Sequence, residues 1–83
     1  MAEAKEKIVL VATHAGEDPE RATFPFLLAT AAQAMDVEAV VILQGVGGYL
    51  AKKGYAEHVL VPGLTPLKTL MDTYVANGGT ILV

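Results

Sequence analysis

Residues Ile8 to Phe26 read IVLVATHAGEDPERATFPF, and this stretch decides the fold. Its first five residues, Ile8 to Ala12, are apolar without alternation and rich in β-branched types, the pattern of a strand covered on both faces in a parallel sheet. A polar loop follows, Thr13 to Glu17, with one histidine and one glycine. Asp18-Pro19 then predicts a helix start, because aspartate accepts from orphan amides and proline at the first helical position loses no needed donor. The helix is expected to run to about Met35. Pro25 would crowd the carbonyl of Arg21, so either the helix kinks there or its regular part begins later, with Thr23 as a second cap. Phe24, Leu27, Leu28, Ala31 and Met35 recur at helical spacing and are expected to share one face.

Working outward, the same pattern repeats. Val37 to Leu43, VEAVVIL, predicts a second strand, and Gln44 to Gly48 a glycine-rich loop before a short helix from Tyr49 to Lys53 that Gly54 ends. His58 to Val61, HVLV, reads as a third strand stopped by Pro62-Gly63. Thr65-Pro66 repeats the cap-then-proline device ahead of Leu67, Leu70, Met71, Tyr74 and Val75, a clean helical stripe. Asn77-Gly78-Gly79 closes that helix, and Thr80 to Val83 is expected as a fourth strand. The resulting order, β-α-β-α-β-α-β, implies an α/β fold: an open parallel sheet with helices on both faces in three α/β/α layers, joined by right-handed crossovers. Ligands of such sheets sit beyond the carboxyl ends of the strands, which selects Thr13 to Asp18, Gln44 to Gly48 and Pro62 to Thr65.

The totals bound what this fold can do. Eighty-three residues make one small domain, and a chain this short buries only about 60–65% of its unfolded surface. Yet 53% of the residues are hydrophobic, so part of the apolar surface is expected at contacts between copies, as a homo-oligomer. Six Lys and Arg against nine Asp and Glu give a net charge of −3, with no basic cluster beyond Lys52-Lys53, which argues against nucleic-acid binding. The absence of cysteine excludes a disulfide framework, a thiolate metal site and a thiol nucleophile within these residues. Met1 to Lys7, MAEAKEK, is of mixed charge and precedes only a short apolar run, unlike a signal peptide or membrane span, so a cytoplasmic protein without membrane contact is expected.

Few residues carry recognisable chemistry. His14, between Thr13 and Gly16 in the first strand-end loop, can donate to an anion or tune a neighbouring group, and it competes with a plain loop histidine bonded to backbone. Glu17 and Asp18 are expected to serve the helix N-terminus. Gly45-Val46-Gly47-Gly48 suggests a phosphate loop, but lacks the Gly-Lys-Ser/Thr ending of a Walker loop and has Leu50 where a dinucleotide fingerprint needs glycine. Those glycines read better as tight-turn or close-approach positions. His58 has no partner at metal-ligand spacing, so no metal is expected, and nothing calls for a cofactor. Tyr49, Tyr55 and Tyr74 read as packing residues.

ATHAGEDPERATFPFLLATAAQAMD, with GVGGYLAKKG, PLKTLMDTYVANGG and TILV further on, closely resembles the DsrE/DsrF-like family of small sulfur-relay proteins. The most specific part is Ala12 to Asp36, above all Asp18 to Thr23, DPERAT. The resemblance covers nearly the whole chain. It implies a flavodoxin-like or Rossmann-like α/β/α domain that assembles into trimers or hexamers. It further implies a cysteine after the fourth strand that carries a persulfide between a sulfur-donor and a sulfur-acceptor protein. No cysteine stands in these 83 residues, so residues 1–83 are expected to be a DsrE-like domain incomplete at its C-terminus. On that reading His14 would stabilise or deprotonate the thiol, and the ligand-facing positions would be Thr13, Gly16, Gly45 and Gly47. A catalytically inert binding or scaffolding subunit is the alternative, and a nucleotide or phosphate module a third.

Overall fold

Three runs rich in β-branched residues pair side by side in this computed structural model, which describes residues 6–83; the start of the mixed-charge segment, residues 1–5, lies outside them. Strand β1 (Lys7–Ala12) pairs with β2 (Glu38–Leu43), which pairs with β3 (Thr80–Leu82), all in parallel. Leu10, Val41 and Ile81 lie in one row across the sheet, and Val9, Val40 and Thr80 in the next. Because side chains alternate between faces, the two rows point opposite ways.

Helix α1 (Pro19–Ala34) links β1 to β2, and the crossover from β2 to β3 contains α2 (Leu67–Ala76). The strand order 1-2-3 never reverses. Two crossovers of one hand moving in one direction put both helices on the same face of the sheet. There they meet, Phe26 of α1 standing edge-on to Tyr74 of α2 with ring centroids 6.0 Å apart. Under them lies the core, built from Ala12, Ala39, Val41 and Leu43 of the sheet with Ala22, Ala29, Leu67 and Leu70 of the helices. On the opposite face Val9 and Val11 are about half exposed, as is Leu82. The described residues therefore form two layers, one of helices and one of sheet, and the helix layer expected on the second face is not among them.

His58 to Val61 does not form the expected strand. Its start belongs to a 3-10 turn, Ala56–His58, after which Val59 is buried and Leu60 exposed without a ladder partner. Among the described residues the sheet has three strands, in the order β1-β2-β3. Similarly, the short helix expected over Tyr49 to Lys53 is a 3-10 helix over Gly45–Ala51, starting at the glycine-rich loop itself.

In α1 the expected cap is present, with Asp18 Oδ1 accepting the Arg21 N–H at 3.1 Å. Pro25 is accommodated inside a continuous helix, and Thr23, rather than capping, donates its hydroxyl to the Pro19 carbonyl at 2.7 Å. Of the expected face, Phe24, Leu28, Ala31 and Met35 are turned outward, Met35 being 76% exposed, and Leu27 packs partly against the core. Instead Ala22, Thr23, Phe26 and Ala29 are buried. The inner face therefore combines small residues, Ala22 and Ala29, with one large ring, Phe26, that fills the space against Tyr74. Helix α2 follows its stripe more closely, with Leu67, Leu70 and Tyr74 buried, although its cap position is Pro66, with no side-chain hydrogen bond from Thr65.

Tyr74 fastens this layer to the sheet. Its hydroxyl accepts the Thr80 N–H at 2.9 Å and directs its proton toward the carbonyls of Ala39 and Thr80. A β-carbon added at Gly79 would lie 2.4 Å from the Tyr74 ring, so the chain can turn into β3 here only without a side chain.

Candidate functional site

The carboxyl end of β1 delivers Thr13 to Asp18 to one edge of the sheet, as the parallel order requires. Here the chain makes a tight turn, the Asp18 N–H reaching the Ala15 carbonyl at 3.1 Å. That turn brings two side chains together. His14 Nδ1 lies 2.7 Å from Glu17 Oε2, and the other carboxylate oxygen of Glu17 accepts the Ala15 N–H. These bonds, the histidine one first, hold the Glu17 carboxyl below its usual range. An ionised carboxylate can only accept, so His14 Nδ1 carries the proton in this bond, and whenever the ring is neutral its lone pair lies on Nε2. The His14 side chain is 33% exposed, which leaves the ring open to solvent. The arrangement is an oriented base at a strand-end edge.

The loop is held from a distant part of the chain. Gly16 N–H donates to the Tyr55 hydroxyl at 2.8 Å, and Tyr55 stacks on Tyr49 with centroids 6.0 Å apart and planes inclined by 26°. Tyr55 and Tyr49 therefore do more than pack, since they join the Gly45–Ala51 segment to the first loop. Gly16 has little room for a side chain, as its β-carbon would meet the Tyr55 oxygen at 2.8 Å.

Of the residues selected from the sequence, His14, Thr13 and Gly16 share this loop, and Thr13 is exposed. Gly16 does not offer its amide freely to a ligand, since the Ala15 N–H is engaged by Glu17 and the Gly16 N–H by Tyr55. An anion would have to displace one of them. Gly45 adopts φ +55°, where glycine is favoured. Gly47 comes against the first strand, and a β-carbon there would lie 2.1 Å from the Ala12 carbonyl oxygen. Its N–H is bonded to the Gln44 carbonyl at 2.9 Å. The glycine run thus seats the second loop against the end of β1, in keeping with a close-approach role.

Glu17 is the residue the sequence reading placed elsewhere. Asp18 alone caps the helix, while Glu17 orients the histidine. A histidine followed three residues later by glutamate across a turn was the available signal. Tyr55 had none, because its partner is 39 residues away. Among the described residues no group of three or more His, Cys, Asp or Glu could hold a metal ion, and no helix is long and apolar enough to cross a membrane.

Fold and edge define the chain as a parallel α/β protein with an oriented histidine at the carboxyl end of its first strand. No protein-family model and no curated protein matches the sequence.

Proposed function

We propose that this protein is a DsrE-like unit of cytoplasmic sulfur transfer, in which His14 serves a thiol that these 83 residues do not contain. The observation that carries the reading is the Glu17-held imidazole at the strand-end edge, with a third of the His14 side chain exposed. Nε2 takes the proton of an acceptor thiol, and the resulting thiolate attacks the terminal sulfur of a donor persulfide. The donor sulfur–sulfur bond breaks, its thiolate leaves, and the imidazolium returns the proton. No electron is gained or lost overall. The exposed apolar surfaces, Val9 and Val11 on the sheet and Leu28 and Met35 on α1, favour assembly into a homo-oligomer, which the family resemblance makes a trimer or hexamer.

The test is transfer of labelled sulfur from a small persulfide donor to an acceptor thiol in the presence of the protein. Acceleration is expected, and His14→Ala should lower it by about 10²-fold. A rate equal to the protein-free control would overturn the reading. A normal rate in the variant would remove His14 from it.

The alternative reading is a catalytically inert oligomeric subunit that keeps the fold and its edge, which absence of cysteine from the complete gene product would favour. Assembly without any acceleration of sulfur transfer is its expected signature.

A further inference from the structure

Away from the histidine edge, the segment after Gly45–Ala51 turns back through Gly54, at φ +82°, and leaves a groove between itself and α2. Its volume is about 390 Å³, within the ~300–1,000 Å³ usual for small-molecule sites. Leu50 and Ala56, both nearly fully buried, lie at its base with Met71, and Val75 flanks it half exposed.

Charge at the mouth has a definite sign. Lys52, Lys53 and Lys68 line the groove, half of the six cationic side chains in a chain whose net charge is −3. Two carboxylates share the lining, Glu57 and Asp72. Asp72 is engaged by Lys68 Nζ, 2.7 Å from each of its oxygens. Neither Lys52 nor Lys53 makes an ion pair with a described residue, and both are exposed. Three lysines against two acids make this mouth net positive on an acidic molecule. An apolar base beneath unpaired ammonium groups complements a ligand with an apolar body and one anionic head.

We propose that this groove binds a small amphiphilic organic anion, its apolar body on Leu50, Ala56 and Met71 and its head group at Lys52 and Lys53. The site is separate from the histidine edge and does not depend on the sulfur-transfer reading. Octanoate is the probe, and neutral 1-octanol its control, followed through the amide signals of the folded protein in two-dimensional NMR. Octanoate should shift the amides of residues 50–57 and 71–75. It should bind about fivefold more tightly than octanol at low salt, the difference shrinking as salt is added. Lys52→Gln with Lys53→Gln, both at exposed positions, should bring octanoate down to the affinity of octanol and leave octanol unchanged. Val75→Asp, which puts a like charge at the rim, should weaken octanoate more than octanol.

Four outcomes would overturn the proposal. These are equal affinity for the two probes, shifts centred on Val9, Val11 and Leu82 instead, and no shift at millimolar octanoate. The fourth is binding of an acidic amphipathic peptide at these residues without octanoate binding, which would make the occupant a protein partner.

Discussion

The Tyr55 hydroxyl accepts the Gly16 N–H at 2.8 Å, joining two loops that are 39 residues apart in the chain. Tyr55→Phe removes that acceptor while keeping the ring stacked on Tyr49. The freed amide is exposed and can turn to water, so the cost should be about 0.5–1.5 kcal/mol. Hydrogen exchange at Gly16 should accelerate relative to the α1 amides. Unchanged protection at Gly16 would show that the loop is held by something else.

The Glu17 carboxyl should titrate below the ordinary glutamate value of about 4.3. A folded-state pKa that is depressed contributes stability that is complete above the unfolded value and lost as pH falls through the folded one. The Glu17 contribution should therefore be complete at neutral pH, begin to fall below the ordinary glutamate value and be lost once pH drops below the folded midpoint. Carbon-detected NMR of the Glu17 side chain reads the midpoint directly, and a midpoint at or above 4.3 contradicts the bonds described. Glu17→Gln should abolish this part of the pH dependence and leave His14 without its anionic partner.

Tyr74→Phe leaves the Thr80 N–H and the Ala39 carbonyl without their phenol partner in the interior. The expected loss is about 1–3 kcal/mol in urea unfolding. Gly79→Ala drives a methyl into the Tyr74 ring and should cost a similar ~1–3 kcal/mol. Both variants act at the junction of α2 and β3. Neither should move the Glu17 midpoint, which lies at the other end of the sheet.

Gly47→Ala and Gly48→Ala separate a packing glycine from an incidental one. At Gly47 a methyl meets the Ala12 backbone, and about 1–3 kcal/mol should be lost. At Gly48 nothing lies within 4 Å and the backbone is not left-handed, so the change should stay within about 0.5 kcal/mol. Equal effects on thermal unfolding would contradict the asymmetry.

Val11→Lys and Leu28→Lys place charges on the uncovered sheet face and on the outer face of α1, both about half exposed. Each should leave the fold unchanged, because neither side chain is in the core. If either surface joins copies, sedimentation should show a smaller species in that variant. Identical sedimentation of both variants and the parent would exclude both surfaces from assembly.

Local signals in the sequence determined more of the fold than of the candidate site. Asp18-Pro19 marked the start of α1, and the apolar runs marked β1 and β2, because capping and strand burial are written in neighbouring residues. The Leu67, Leu70 and Tyr74 stripe likewise marked α2. His14 and its loop followed from the rule that places sites at strand ends. Other features depended on partners distant in sequence. HVLV had the composition of a strand, but the 3-10 turn over Ala56–His58 takes up its start and the rest finds no ladder partner. Phe24, Leu28 and Met35 had the spacing of a core face, but the face that meets the sheet and α2 is that of Ala22, Phe26 and Ala29. Glu17 could cap or could orient, and only the turn that brings it 2.7 Å from His14 decided between them. Spacing along the chain determines which side chains share a face, whereas the folded backbone determines what that face meets: a local turn gave His14 its carboxylate, and a partner 39 residues away gave Gly16 its tyrosine.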